Sequence, residues 1–279
     1  MIVQRLTAFT RDPAGGNPAG VVIGSHPSDE EMQLIAAEVG YSENRFRGTG
    51  RGCRAPVSGP VLQPPDGGAL LWARDHRRRG RAGRRRRHRQ VRAPHQSGTR
   101  PSGRPQRRLR PPLATLTSPP PTVDPVDHQL LGDVLAALDW SRSELDWSLP
   151  PARASAGAAH LVLAARHRAR LADLDYDFER LRSIMVEAEL TTLQLVWRET
   201  ALRYHARAPF PVGGVVEDPA TGAAAAAFAA YLRHLGVVVA PCTVTILQGA
   251  DMGRPSTLLV ELIPSQDSVL VSVHAVPMV

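Results

Sequence analysis

The string Glu217-Asp218-Pro219-Ala220-Thr221-Gly222 places two carboxylates beside residues that begin a helix. Pro219 suits a helix start, where the N–H group that it lacks would have no partner. Gly222 allows a ligand to approach the backbone closely. The free N–H groups of a helix start attract anions. The string therefore predicts a cradle for a substrate carboxylate, with Asp218 at its rim as a proton-transfer group. The alternative is that Asp218 only caps the helix.

Two polar residues near the amino terminus are further candidates for the site. For each of them the local sequence allows either a structural role or a functional one. Glu43 follows a predicted helix over 28–40 and is expected on a loop, where a glutamate is usually solvated. Asn17 lies between a glycine and a proline. This setting favours a turn, so Asn17 is either a turn residue or a ligand contact.

The remaining sequence indicates no metal or cofactor chemistry. It has no metal-ligand spacing, no glycine-rich phosphate loop followed by lysine and no nucleophile elbow. Two cysteines, Cys53 and Cys242, are too few for a disulfide framework. The amino terminus lacks the apolar core of a signal peptide, and no apolar run suits a bilayer. We expect a soluble, cytoplasmic protein that uses no cofactor and no metal.

The segment Arg47–Pro112 differs from the rest of the chain in charge. It holds 19 of the 34 basic residues, all arginine, against two acids, Asp66 and Asp75. Its formal charge is therefore +17, and the other residues carry −9 of the chain's net +8. The segment has no helical or strand periodicity and is rich in proline and glycine. As it stands, it predicts disorder, because it buries too little apolar surface to offset chain entropy.

The genetic code gives this segment a second interpretation. When the reading frame moves forward by one nucleotide, the single tryptophan codon of Trp72 and the codon of Ala73 together encode glycine. The codons of Leu71–Arg78 then permit Cys-Gly-His-Ala-Thr-Ile-Ala. In the same frame Val61–Leu70 permits Tyr-Phe-Ser-Pro-x-Thr-Ala-Glu-Leu-Phe, and Val91–Gly98 permits Phe-Val-x-His-Thr-Arg-Ala-Gly. We therefore interpret residues 47–112 as frame-shifted.

Hydrophobic spacing outside this segment predicts a mixture of strands and helices. Amphipathic helices are expected over 28–40 and Asp127–Leu138, and 173–185 is expected to be partly helical. Ala220–Leu235 is apolar on nearly every side, which predicts a helix buried all round. Thr117–Pro125 is expected to be a linker. Strands are expected at Met1–Phe9, Ala19–Ile23, His160–Ala165, Thr191–Trp197, Val237–Val239, Thr243–Leu247, Leu258–Ile263 and Val269–Ala275.

Several motifs together resemble the PhzF-like isomerases of phenazine biosynthesis, relatives of diaminopimelate epimerase. They are Phe9-Thr10, Gly16-Asn17-Pro18-Ala19, Tyr41-Ser42-Glu43, Gly214–Gly222, Gln248-Gly249 and Met252–Ser256. The resemblance covers roughly residues 1–46 and 113–279. The shifted frame of 47–112 supplies three further matches in the order that the family requires.

The resemblance implies an α+β fold of two pseudo-symmetric half-domains. Each half would be a curved, mostly antiparallel sheet around a central helix, as in diaminopimelate epimerase, with the active site between the halves. The first half would span 1–120, completed by 267–279, and the second 121–266. The family also tends to dimerise, so a homodimer is expected.

The same resemblance assigns roles to residues. Glu43 would be the general acid/base that moves a proton between substrate carbons, assisted by Asp218. Substrate-binding positions would be Asn17, Ser42, Thr221, Gly222 and Ala223. Two departures stand out: the family has serine in place of Ala223, and a small or apolar residue in place of Arg45. Gln248-Gly249 is expected to be structural.

The motifs and the resemblance together predict an isomerase or epimerase that acts on a small carboxylate-bearing substrate. No nucleic-acid or membrane partner is expected. One alternative is a nucleic-acid-binding protein, since the Arg84–Arg87 run could bind phosphates. Against it, the segment has a single aromatic residue, Trp72, for base stacking, and no recognisable binding module. The other alternative is a catalytically dead relative, if 47–112 is translated as it stands.

Overall fold

The computed structural model describes residues 2–24, 43–48, 61–62 and 113–278, with helical positions 31, 32, 34, 35 and 38. The rest of the proposed frame-shifted segment, including Leu71–Arg78, lies outside the described residues. No described helix is both long enough and apolar enough to cross a membrane.

The described chain is built on one large sheet of thirteen strands, and most neighbouring strands in it are antiparallel. Parallel pairing occurs between the strands Asn17–Gly24 and Glu43–Gly48, between Ala159–Ala164 and Thr192–Arg198, and between Arg203–Arg207 and Cys242–Gln248. The sheet strands are β1 (Ile2–Ala8), β2 (Asn17–Gly24), β3 (Glu43–Gly48), β4 (Val61–Leu62), β5 (Leu113–Thr117), β6 (Thr122–Pro125), β7 (Ala152–Ser155), β8 (Ala159–Ala164), β9 (Thr192–Arg198), β10 (Arg203–Arg207), β13 (Cys242–Gln248), β14 (Ser256–Leu262) and β15 (Val269–Pro277).

Besides the helical positions between 31 and 38 and three short 3-10 turns, a hairpin and four α-helices of the described chain lie outside this sheet. β11 (Pro209–Phe210) and β12 (Val215–Glu217) form the hairpin. The helices are α1 (His128–Ala137), α2 (Arg168–Ala172), α3 (Phe178–Glu187) and α4 (Gly222–His234). The fold is therefore of the α+β class expected from the sequence, with a mostly antiparallel sheet.

The strand β15 connects the amino-terminal strands to the rest of the sheet. Val269–Ser272 pair with β14, and Ala275–Pro277 pair with β1. Residues Leu270–His274 also pair with β5. Through β1, the strands β2 and β3 extend the same sheet. This connection brings the loop at Gly15–Asn17 against Asp218 and Arg254.

The helix α4 is buried as its sequence predicts. Ala224–Leu232 are all buried and form the centre of the main hydrophobic core. The helix packs against β6, β7, β14 and β15. Small alanine side chains allow these strands to approach the helix closely from several directions. Because the helix is covered on several sides, it needs apolar residues all round, whereas a surface helix needs only one apolar stripe.

A second core occupies the other face of β8 and β9. Along β8, Leu161 and Leu163 join α1 and α3, whereas Val162 and Ala164 face the core that holds α4. Successive strand residues point to opposite faces. A continuous apolar run such as Leu161–Ala164 therefore marks a strand covered on both sides.

Three sequence expectations about local structure were wrong. Val237–Val239 form no strand, because the N–H groups of Val237 and Val238 bond back to Leu232 O and close the end of α4. The expected linker Thr117–Pro125 contains β6, which pairs with β7. Glu43 begins β3 instead of lying on a loop. In the first case capping of the preceding helix overrides the apolar pattern, and in the other two pairing with a neighbouring strand overrides the local pattern.

Candidate active site

The side chains of Asn17 and Asp218 meet in a buried polar cluster. Asn17 begins β2 and Asp218 follows β12, and the two residues are 3% and 6% exposed. Asn17 Nδ2 donates to Asp218 Oδ1 at 2.9 Å and to the carbonyl of Ala220 at 3.0 Å. Two motifs 201 residues apart are thereby joined at one point.

Thr221 and Gln248 complete the hydrogen bonding around Asp218. The Thr221 hydroxyl donates to Asp218 Oδ2 at 2.6 Å. Gln248 Nε2 donates to the Asp218 carbonyl at 2.7 Å and to Thr221 Oγ1 at 3.2 Å. Gln248 Oε1 accepts from the Thr221 N–H at 3.4 Å. Gln248, at the end of β13, is only 1% exposed, so this network lies away from bulk water.

The start of α4 lies at the edge of this network. The N-cap residue is Thr221, and its side chain accepts no hydrogen bond from the helix because its hydroxyl is directed to Asp218. Asp218 thus lies three residues before the N-cap position. N–H groups of a first helical turn have no intrahelical partner and favour a negative charge. This geometry suits an anion bound at Gly222 and Ala223.

Phe9 packs against the helix start. A Cβ added to Gly222 would lie 3.2 Å from the ring of Phe9, so glycine permits this close approach. Phe9 is buried and has a φ of 63°, a left-handed conformation that is costly for an aromatic residue. Its carbonyl accepts a hydrogen bond from Thr257 N, which helps to hold it.

The loop before β2 is held by residues of the late motif. Arg254 donates from Nε to Gly16 O and from Nη2 to Gly15 O, both at 2.9 Å. Gly16 has a φ of 71°, and a Cβ there would lie 2.3 Å from Ala8 O, so only glycine fits. These contacts fix the loop that delivers Asn17 to Asp218.

A buried ion pair holds the strand that precedes Asp218. Arg207 donates through Nε to Glu217 Oε1 at 3.0 Å and through Nη2 to Oε2 at 2.5 Å. Arg207 Nη1 also donates to Ala172 O at 2.7 Å. The neighbouring Asp218 N–H bonds to Ala208 O at 3.0 Å. The pair thus anchors the backbone on which Asp218 is carried.

Arg207→Met is expected to lower the free energy of unfolding by about 3–5 kcal/mol, because it leaves Glu217 charged and buried without its partner. Replacing both residues with apolar ones should recover much of this loss. The exposed pair Arg182–Glu179, with 3.7 Å between its charged atoms, is the control: Arg182→Met should cost less than about 1 kcal/mol. Urea unfolding measures each value. Equal losses for the two arginine variants would contradict the assignment.

The backbone places Glu43 close to Asn17 in register. β3 runs parallel to β2, with Glu43 opposite Ala19, two residues after Asn17. The side chain of Glu43 and the whole of Ser42 lie outside the described residues. The structure therefore brings Asn17, Asp218, Thr221, Gly222 and Ala223 together and gives a backbone position for Glu43.

Gln248 is the site residue that sequence analysis assigned to a structural role alone. Its signal was present in the sequence, since it is a polar residue at the end of an apolar strand and within the late motif. Among the described residues, no group of three or more His, Cys, Asp or Glu side chains could hold a metal ion.

Comparison with known proteins gives a family match over most of the chain. The family model described as phenazine biosynthesis-like protein, PhzC-PhzF, matches residues 6–49 and 105–279. The unmatched stretch lies within the arginine-rich segment 47–112.

Two curated relatives match short parts of the chain. The uncharacterized isomerase YfhB of Bacillus subtilis is 51% identical over 45 residues, which is 16% of this chain and 15% of YfhB. Trans-2,3-dihydro-3-hydroxyanthranilate isomerase of Pseudomonas fluorescens is 45% identical over 56 residues, 20% of each chain. The matches thus span a fifth or less of either relative.

Solved structures share the fold over nearly the whole chain. A PhzF-family protein of Bacillus anthracis has a TM-score of 0.68 at 18% identity, covering 99% of this chain and 96% of its own. A predicted epimerase of Pseudomonas aeruginosa gives 0.69 at 21% identity with the same coverage. A probable proline racemase of Agrobacterium radiobacter gives 0.54 at 11% identity, covering 98% and 88%. Since the family model also spans most of its length, the chain belongs to the phenazine biosynthesis-like, or PhzF, family.

Proposed function

We propose that the chain is an isomerase or epimerase that moves a proton on a small carboxylate-bearing substrate, without a cofactor. The observation that carries this proposal is the buried hydrogen bond between Asn17 and Asp218. It joins the amino-terminal motif to the carboxylate at the start of α4. A buried polar cluster beside a helix start suits a small, charged ligand.

The substrate carboxylate would bind at the first turn of α4, on the N–H groups of Gly222 and Ala223. Ala223 has no hydroxyl, so recognition there depends on the backbone. Glu43 would transfer the proton, with Asp218 as the second carboxylate. The register of Glu43 beside β2 supports this placement. A carboxyl in a closed site that excludes water is suited to such transfer near neutral pH.

Asn17 indicates what else the substrate carries. Its Oδ1 atom is buried and has no hydrogen-bond partner among the described residues, although buried acceptors are normally satisfied. An N–H or O–H group of the substrate would satisfy it. This favours amino and hydroxy acids over simple carboxylates.

We also propose that the site lies between two half-domains, 1–120 completed by 267–279, and 121–266. The pairing of β15 with β1 supports the extension of the first half by the final strand. A homodimer is the proposed assembly. A nucleic-acid-binding role is not favoured, because it rests on Arg84–Arg87, which the family match does not include.

Proton exchange in deuterium oxide tests the proposal. Trans-2,3-dihydro-3-hydroxyanthranilate and a panel of small amino and hydroxy acids would be incubated with the chain in both frames of 47–112, and carbon-bound deuterium followed by NMR. At least one acid should exchange a carbon-bound proton. Methyl esters of the same compounds are the control and should exchange at least about tenfold more slowly, since they lose a charge-assisted contact. Exchange of no compound, or equal rates for esters, would contradict the proposal.

A further inference from the structure

We propose that Gln248 is a positioning residue that acts on Asp218 through the hydroxyl of Thr221. It directs the hydroxyl proton of Thr221 towards Asp218 and so keeps both oxygens of that side chain as hydrogen-bond acceptors. The catalytic consequence of this inference rests on the proposed function, but the hydrogen-bond network itself does not.

The neighbours of Gln248 fix which way its amide points. The Asp218 carbonyl can only accept, and it lies 2.7 Å from Nε2. The Thr221 N–H can only donate, and it lies 3.4 Å from Oε1. In the opposite orientation Oε1 would face the Asp218 carbonyl, acceptor against acceptor, and Nε2 would face the Thr221 N–H, donor against donor. Nε2 therefore has its second proton available for Thr221 Oγ1, which lies 3.2 Å away.

This donation determines where the Thr221 proton goes. A hydroxyl has one proton to donate, and Thr221 Oγ1 already accepts from Gln248. Its own proton is then directed to Asp218 Oδ2, at 2.6 Å. That separation is in the range of a hydroxyl bonded to a charged carboxylate. A proton on Oδ2 of Asp218 would oppose the Thr221 proton.

Asn17 imposes the same condition on the other oxygen. Its Nδ2 atom lies 3.0 Å from the Ala220 carbonyl, which can only accept, so the nitrogen faces this side. The same nitrogen donates to Asp218 Oδ1 at 2.9 Å. Both oxygens of Asp218 are therefore acceptors, and the network favours the carboxylate form.

Two charged groups near Asp218, both among the described residues, have partners of their own. Glu217 is paired with Arg207 on the hairpin side, and Arg254 donates to Gly15 and Gly16 on the loop side. Within the proposed reaction, Asp218 would then serve as a base or as a fixed negative charge. The proton delivered to the substrate would come from Glu43.

Carboxyl NMR of the full chain, with ¹³C-labelled aspartate and without substrate, tests the network. Asp218→Asn identifies the resonance, and its titration midpoint is then followed with pH. Thr221→Val should raise the midpoint by about one pH unit, because it removes a hydrogen bond to the charged form. Gln248→Met should raise it by a smaller amount, since the freed Thr221 hydroxyl can then accept a hydrogen bond from the protonated form of Asp218.

The double variant and a second glutamine separate this effect from a general loss of packing. Gln248→Met should add nothing to Thr221→Val, because coupled residues are not additive. Gln194→Met is the matched control: Gln194 is equally buried, and its side chain has no hydrogen-bond partner among the described residues. In this variant the titration midpoint of Asp218 should equal that of the unchanged chain. If Gln248→Met does not fold, Gln248→Leu, which also removes the donor and adds no charge beside Asp218, should raise the midpoint in its place.

An unchanged midpoint in a folded Gln248 variant, together with a shift in Thr221→Val, would overturn the role of Gln248. An equal shift in Gln194→Met would do so as well. Failure of the proposed function would show differently, as absent deuterium exchange with the titration pattern intact.

Discussion

Translating residues 47–112 in the frame shifted by one nucleotide is expected to turn an inactive chain into an active isomerase. The shifted frame permits Cys-Gly-His-Ala-Thr, which the family resemblance places against the substrate, and the family model fails to match between residues 49 and 105. The sequence as it stands instead supplies an arginine-rich stretch, and unpaired guanidinium groups cannot form a core because each costs several kcal/mol to bury. Exchange rates should differ by at least about 100-fold, the lower range for a lost acid–base or positioning group.

Two measurements identify the frame that the cell uses. Peptide mass spectrometry of the purified protein should find fragments containing His-Ala-Thr-Ile-Ala. Peptides that match Leu71–Arg77 would instead show that the segment is genuine. A gene recoded with synonymous codons, which keeps the present residues but destroys the shifted sequence, is the control for activity. Activity that survives this recoding would remove the frame shift from the explanation.

Local sequence predicted the elements whose pattern is self-contained. The apolar run of α4 specifies burial by itself, and alternation along β13 and β14 specifies strands. It failed where contacts outside the segment decide the outcome: β6 forms because β7 lies beside it, and the N–H groups of Val237 and Val238 bond to Leu232 at the end of α4.

The candidate site shows the same division. Asn17 and Asp218 could each be selected from their motifs, but their direct contact depends on how β15 joins the two ends of the chain. Gln248 lies 30 residues from Asp218, and nothing in its local sequence indicates which group its amide contacts. Sequence spacing gives candidate residues, whereas the sheet register determines which of them meet.

Glu43→Gln is expected to reduce proton exchange by about 10²–10⁴-fold in the active form of the chain, the range for loss of a general acid/base. The glutamine amide has nearly the same shape as the glutamate carboxyl group but cannot take up or deliver the substrate proton. Substrate binding should change little, because the carboxylate cradle is at the start of α4. The reduction should therefore appear in kcat, with KM nearly constant.

Asp218→Asn is expected to behave differently, and this difference tests the division of roles. An amide nitrogen at either oxygen of Asp218 would face a donor, Asn17 Nδ2 or the Thr221 hydroxyl. The substitution should therefore disturb the start of α4 and raise KM while lowering kcat. Glu187→Gln, on the exposed side of α3, is the control and should leave both constants unchanged. If Glu43→Gln retained full exchange while Asp218→Asn lost it, Asp218 would be the proton-transfer residue and Glu43 would have no catalytic role.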